Sequence, residues 1–345
     1  MRRVRCRRVA LAASVVVAAG CSAPGTTVES TPDAVVTSIG VALHDPVWSY
    51  RRGSLIALTD DGRVAEVADP SDPGRAVTRQ SPPLAAGRNL QISRKDDGHL
   101  FVPQPQRGKV AVVDLATLSP TAAIDAGPHP AFLSEDSGMR TLLALSADGT
   151  SVTPVDEYGF RQLPMAKIPG GPSSTIDGAN RGRDIEYHLY GPAGIRYYKG
   201  SSSPPREHGS LPMAVASSAA DSTAVTRSFV TRPNDDVLYA VESKQGGEGM
   251  EVVAATRLPS PIRRIGTDDT RVYVATDREV AVLELNSFTG YPQGVIPLLR
   301  ITDYRAALPQ SKRSAPLSGM ALGPHRVYLT FAGTPVVVSV AKPHL

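Results

Sequence analysis

Arg271–Asn286 reads RVYVATDREVAVLELN. Val272, Tyr273, Val274 and Ala275 make one β-prone run, and Val280–Leu285 makes a second. Asp277, Arg278 and Glu279 between them are polar. Apolar, β-branched and aromatic runs around a short polar break predict two strands joined by a tight turn. A single hairpin is marginal in water, so the stretch matters because it is repeated. Asp61-Gly62, Asp97-Gly98 and Asp148-Gly149 each sit between short apolar runs and suit hairpin turns that need positive φ. The flanking runs are LIAL and RVAEV, HLFV and KVAVVDL, and TLLALS and TSVTPV. From Ala34 onward no long helical pattern interrupts them.

The spacing of these units narrows the architecture. Comparable unit starts fall at Pro46, Asn89, Pro130, Ser173, Ala214, Pro261 and Leu317. The first five are 41 to 43 residues apart, and the last two intervals grow to 47 and 56. A period of about 40–45 residues is that of a four-stranded propeller blade. Seven starts predict an all-β, seven-bladed β-propeller, with six or eight blades as the alternatives because Ser173–Pro212 is the least regular unit. The last unit has room for three strands, Gly319–Leu322, Arg326–Phe331 and Pro335–Val340. The run Ala34–Leu43 has no blade of its own. It is expected to supply the fourth strand of the last blade and close the ring, since an open sheet edge would otherwise be left unpaired. Arg300–Ser318 is the longest insertion. Asp303 is expected to cap a short helix at YRAAL.

The unit Val272-Tyr273-Val274-Ala275-Thr276 followed by VAVLEL resembles the YVTN-type β-propeller repeat, with Thr276 and Asp277 where that family has Asn. Gly127-Pro128-His129-Pro130-Ala131 and Ser134-Glu135-Asp136-Ser137-Gly138 are similar to its inner-strand segment and the turn that follows. GKVAVVDL (Gly108–Leu115) resembles its next strand. The resemblance implies the fold; propellers carry many unrelated functions. Quinoprotein propellers dock their blades with repeated Trp, and this chain has a single Trp, Trp48. The Trp-Asp dipeptide of WD-type repeats is also missing.

Residues 1–20 read as a signal peptide. Arg2, Arg3, Arg5, Arg7 and Arg8 precede the apolar run Val9–Ala19, which is too short to span a bilayer. Ala18-Ala19-Gly20-Cys21 resembles a bacterial lipobox, which implies cleavage before Cys21, a thioether-linked diacylglycerol on it, and residence on the outer face of the cell membrane. Arg7-Arg8 leaves Sec and twin-arginine export both open. Residues 21–33 are then the lipidated Cys and a flexible tether, small, polar and Pro-containing, and 34–345 form the propeller domain. The excess of Arg over Lys resembles that of actinobacterial chains.

The 345 residues carry 37 Lys and Arg against 33 Asp and Glu. Five of those Arg lie in the first eight residues, so the remainder holds 32 basic against 33 acidic. That balance argues against a nucleic-acid partner. Cys6 leaves with the signal and Cys21 is the acylation site, so the domain is expected to fold without a disulfide, metal or cofactor. The seven histidines, His44, His99, His129, His188, His208, His325 and His344, show no local metal-ligand spacing and are expected on the surface or in turns. His129 is the candidate ligand-contacting residue, because inner-strand starts lie near the channel. No nucleophile elbow or P-loop is present. Asp60-Asp61-Gly62 and Asp96-Asp97-Gly98 lack the further carboxylates of a calcium loop. The leading expectation is a monomeric binding or scaffold module for a protein or small-molecule ligand. The alternative is a propeller hydrolase or lactonase holding a divalent metal in the funnel with Glu, Asp, Asn or His from several blades.

Overall fold

The computed structural model describes residues 33–94, 97–244, 249–286 and 289–343. They form seven antiparallel sheets in chain order, each built of four strands, with the outer strand of the third split in two. The first strands of the blades are Leu43–Ser49, Gln91–Ile92, Pro130–Asp136, Thr175–Gly178, Ser217–Ala220, Ile262–Thr267 and Leu317–Leu322. They contact one another from blade to blade and so line the axis of the ring. The fold is a seven-bladed β-propeller, as the period predicts. The unit that looked irregular, Ser173–Pro212, is a complete blade, with Ile185–Gly191 and Gly194–Gly200 as its middle strands. Its irregularity is one of composition, since Tyr187, Tyr190, Tyr197 and Tyr198 are buried where other blades place Val and Leu.

The deciding stretch shows why the sequence makes blades. Arg271–Thr276 and Glu279–Glu284 pair across a two-residue turn at Asp277 and Arg278, with Tyr273 opposite Val282. Successive side chains on a strand point to opposite faces. Val272, Val274, Ala281 and Leu283 therefore enter the apolar seam shared with the fifth blade. Tyr273, Ala275, Val280 and Val282 enter the seam shared with the seventh. Both faces are covered, so both faces are apolar and the strand reads as a continuous run. The same division recurs in Ser54–Thr59, where Leu55 and Ala57 face one neighbour and Ile56 and Leu58 the other. Each fully buried Leu, Val or Tyr of this kind contributes about 2 kcal/mol by area. One apolar cluster fills each seam around the ring.

The last sheet runs in the order Ala34–Ser38, Thr334–Ala341, Arg326–Phe331, Leu317–Leu322. The N-terminal strand is thus the outermost strand of the last blade, with Ala34 opposite Val340 and Ser38 opposite Val336. The closing strand is shorter than the run Ala34–Leu43. Gly40, at φ +77°, ends it, and Leu43 already belongs to the first strand of the first blade. Asp33 also takes part in the fold, since its carbonyl accepts the Ala341 N–H at 2.8 Å and its carboxylate meets Arg300. The signal segment, Cys21 and the tether up to Pro32 lie outside the described residues.

One local expectation is corrected here. YRAAL is a turn, not a helix: Asp303 accepts the Ala306 N–H at 2.9 Å, and Pro309 follows too soon for a helix to continue. Its Tyr304 is fully buried in the seam between blades six and seven, donating its hydroxyl to the Thr276 carbonyl at 2.8 Å. The insertion is therefore a plug for that seam. In the Asp97-Gly98 turn it is Asp97, at φ +47°, that takes the left-handed conformation, whereas Gly62 and Gly149 take it in theirs.

Candidate functional site

Each first strand ends in a turn that leads to the second strand, and these turns crowd one end of the axis. Three are built alike from Asp. Asp136 accepts the Met139 N–H, Asp221 accepts the N–H groups of Thr223 and Ala224, and Asp268 accepts those of Thr270 and Arg271. Such side-chain-to-backbone bonds hold a tight turn in one shape. Two of these turns, through Ser222 and through Asp268 and Asp269, help line an open basin of about 820 Å³.

Six of the seven blades contribute to this basin. One side is apolar, from Trp48 and Tyr50 of the first blade and Met320 and Leu322 of the seventh. Trp48 lies flat on Tyr328, ring centres 4.8 Å apart and planes at 2°, which fixes the indole. Its Nε1–H finds no partner among the described residues. Tyr50 projects its ring outward, 63% exposed. The rest of the lining is largely polar and charged, with Arg94 and Asp97 from the second blade, Arg181 from the fourth and Asp268 and Asp269 from the sixth. Arg94 donates to Asn180 Oδ1 at 2.5 Å, and Arg181 stands 4.0 Å from Asp269. A lining that mixes aromatic and charged groups suits a ligand with both apolar and polar parts, the usual chemistry of a recognition pocket.

Buried acids stand behind Gln91 and Arg94 of this lining. Glu135 is 4% exposed, and its Oε2 accepts the Gln91 side-chain N–H and the Arg94 backbone N–H, both at 3.2 Å. Burial, then the neighbouring Glu157 carboxylate, push the Glu135 carboxyl up to about 8, while Arg94 pulls the other way. Asp136 is fully buried beside it in sequence, and burial raises it to about 6. Among the described residues no group of three or more His, Cys, Asp or Glu is arranged to hold a metal ion.

The candidate His129 is exposed in the turn before Pro130, at φ +44°, and its Nδ1–H donates to the Pro105 carbonyl at 2.9 Å. It lies at the start of an inner strand, at the other end from the basin, and joins two blades. Cys21 lies outside the described residues, as does His344. His188 departs from the expectation for histidines. It is 2% exposed in the middle of a second strand and stacks on Tyr197 at 4.8 Å. Burial lowers it to about 4.

That histidine makes a prediction. The unfolded chain protonates His188 near its ordinary value of 6.5, whereas the folded chain resists until about 4. Stability contributed by the neutral ring is complete above 6.5 and falls as the pH drops from 6.5 to 4, by about 3 kcal/mol in all. His188→Phe keeps the aromatic stack and removes this term. Urea midpoints of both proteins between pH 7.5 and 4.5 should show a steeper acid loss in the wild type; parallel curves would mean the ring titrates normally.

The basin residues were not visible in the sequence because they come from separate blades. One signal was present: Asp-Ser-Gly at 136–138, Asp-Ser-Thr at 221–223 and Asp-Asp-Thr at 268–270 occupy equivalent turns. Aligning those tripeptides on the period marks these turns.

No protein family profile matches the chain, and no curated protein matches it in sequence. Solved structures are similar in fold. A chain of the mitotic checkpoint complex superposes with a TM-score of 0.68 at 11% identity, over 97% of this chain and 99% of that one. The WD40 repeats of RRP9 give 0.67 at 10% identity, over 90% and 97%. Virginiamycin B lyase from Staphylococcus aureus gives 0.62 at 11% identity, over 90% and 99%. At these identities the likeness is one of fold alone: structures of WD40 repeats and of a lyase superpose on this chain comparably well along nearly its whole length.

Proposed function

We propose that the chain is a lipid-anchored, extracytoplasmic binding platform of the YVTN-repeat kind, held at the outer face of a bacterial membrane through Cys21 and taking its ligand or protein partner in the axial basin. The observation that carries the binding part is the mixed basin, in which Trp48 and Tyr50 share one lining with Arg94 and Arg181. Turns held in one shape lower the ordering cost of binding. The lipobox-like Ala18–Cys21 supports the anchor, since two or more acyl chains give stable membrane attachment. No observation in the described residues favours a metal-dependent hydrolase.

Two measurements test the reading. Cys21→Ala should release the protein from membranes or leave it unprocessed; partitioning of the wild type into the aqueous phase of a detergent separation would remove the anchor. Cross-linked pull-down from membranes, comparing the intact protein with Tyr50→Ala/Arg181→Glu, tests the basin. Partners captured by the wild type should fall at least tenfold with the double variant. Equal capture by both would place recognition elsewhere on the ring.

A further inference from the structure

Among the described residues nine large apolar side chains are exposed, and four of them, Val295, Leu298, Leu299 and Ile301, fall within seven consecutive positions. They are 39% to 52% exposed. Leu298–Asp303 is the outermost strand of the sixth blade. Its neighbour pairs Leu283 with Leu298 and Ala281 with Ile301. Opposed residues lie on one face of a sheet, so Leu298 and Ile301 share the face turned to the fifth blade, as Leu283 and Ala281 do. Val295 stands on that side too. The Ala255 N–H of the fifth blade donates to the Gly294 carbonyl at 3.0 Å, and the Thr256 hydroxyl donates to the Ile296 carbonyl at 2.6 Å. The four side chains form an apolar stripe on the outer circumference of the ring.

Three observations narrow what covers this stripe. Val282 pairs with Arg300 and Leu283 with Leu298, so Leu299 is a bulge that nothing opposes. A bulged edge is a poor template for an added strand, which argues against a second copy or an extended peptide. The charges of the edge are paired, Arg300 with Asp33 and Arg278 with Asp303 at 2.9 Å. The stripe therefore offers apolar area rather than attraction for a charged partner. The third observation is position. Asp33, which Arg300 holds, is the first described residue, and Cys21 precedes it by twelve positions. Twelve residues span at most about 40 Å even fully extended, so an acylated Cys21 keeps this edge within that distance of the lipid.

We propose that the outer edge of the sixth blade is a membrane-contacting surface, with Val295, Leu298, Leu299 and Ile301 entering the head-group region of the bilayer that carries the anchor. The inference rests on the proposed acylation of Cys21 and adds how the domain lies. Binding of such a surface scales with the apolar area it buries, and the paired charges make the contact independent of anionic lipid. With its circumference on the bilayer the ring stands on edge. The axial basin then opens parallel to the membrane, and a ligand or partner reaches it from the side.

The test uses the full chain as extracted from membranes, placed in vesicles of phosphatidylcholine that include a lipid with a fluorescence quencher close to its head group. One fluorophore is attached to Leu298→Cys, or to Tyr158→Cys, an exposed site on the third blade, across the ring. The parent chain, with no introduced Cys, shows that no other thiol takes the label. Quenching at position 298 is expected to exceed that at 158 about fivefold without any anionic lipid. Adding Leu299→Glu/Ile301→Glu should bring it down to the level at 158 while the protein still floats with the vesicles. Equal quenching at both positions, or none at 298 in protein that floats, overturns the membrane-contacting edge and leaves the anchor standing. Protein that does not float removes the anchor and the edge together. Emission at 298 that changes with protein density in the vesicle, and not with the quencher, assigns the edge to a second copy and also overturns the proposal.

Discussion

Deleting the chain through Ser38 is expected to lower the melting temperature by on the order of 10 °C and to cause aggregation, while deleting it through Pro32 is expected to change neither. The difference between the two truncations is essentially one strand. Ala34–Ser38 supplies the whole outer edge of the last blade, from Ala34 opposite Val340 to Ser38 opposite Val336. It buries Thr37 completely and packs Ala34 and Val36 on the seam that holds Val336, Val338 and Val340. Losing that packing and the ladder is worth about 5 kcal/mol, which in a domain of this size is roughly 10 °C. The bared strand Thr334–Ala341 carries three consecutive Val and becomes a template for another chain. Identical melting of the two truncations would mean that the closing strand holds nothing together.

The second large effect is at Gly149. Its turn is of the same kind as that of Gly62, with φ at +69° and +72°. Either glycine replaced by Ala would put a side chain in the left-handed region, which costs about 1 kcal/mol. Space separates them. A Cβ at Gly62 would have nothing nearer than 3.8 Å, whereas one at Gly149 would stand 2.1 Å from the Ser173 carbonyl oxygen. Ser173 N–H donates to the Gly149 carbonyl at 2.9 Å, so the approach joins the third blade to the start of the fourth. Gly149→Ala is expected to cost about 4 kcal/mol and Gly62→Ala about 1. Chemical denaturation of the pair measures the difference directly. Equal costs would mean the contact between the two blades gives way freely.

These two sites show where the sequence speaks and where it does not. Ring closure was legible because it is a matter of counting strands: three after Leu317, and one run too many at Ala34. The turn at Asp148-Gly149 was legible as a turn, because positive φ is written in the residue type. That it also touches Ser173 was not, since contact between blades depends on tertiary placement. The basin shows the same limit more strongly. Trp48, Arg94, Arg181 and Asp269 meet only because the period stacks strand ends from different blades at one place. Each alone is an unremarkable residue near a turn. His188 misled for a different reason: between Tyr187 and Leu189 it takes the place of an aliphatic side chain, and nothing local distinguishes a buried neutral imidazole from an exposed one. YRAAL has helix-forming residues, but seam burial of Tyr304 and the following Pro309 outweigh propensity.

The closing strand also sets an order of events. Ala34 and Val340 are partners separated by 306 positions in the chain. Bringing such distant ends together costs about 5 kcal/mol of loop entropy in a chain that is otherwise unfolded, but little once six blades have already curved round. The first strand to be made is therefore the last to find its place. Until Thr334–Ala341 arrives, Ala34–Ser38 has no partner at all, and every partly built chain carries an unsatisfied edge at each end. A nascent ring of this kind is safe only once closed, and its period of exposure equals the time needed to make the chain from Ala34 to Ala341.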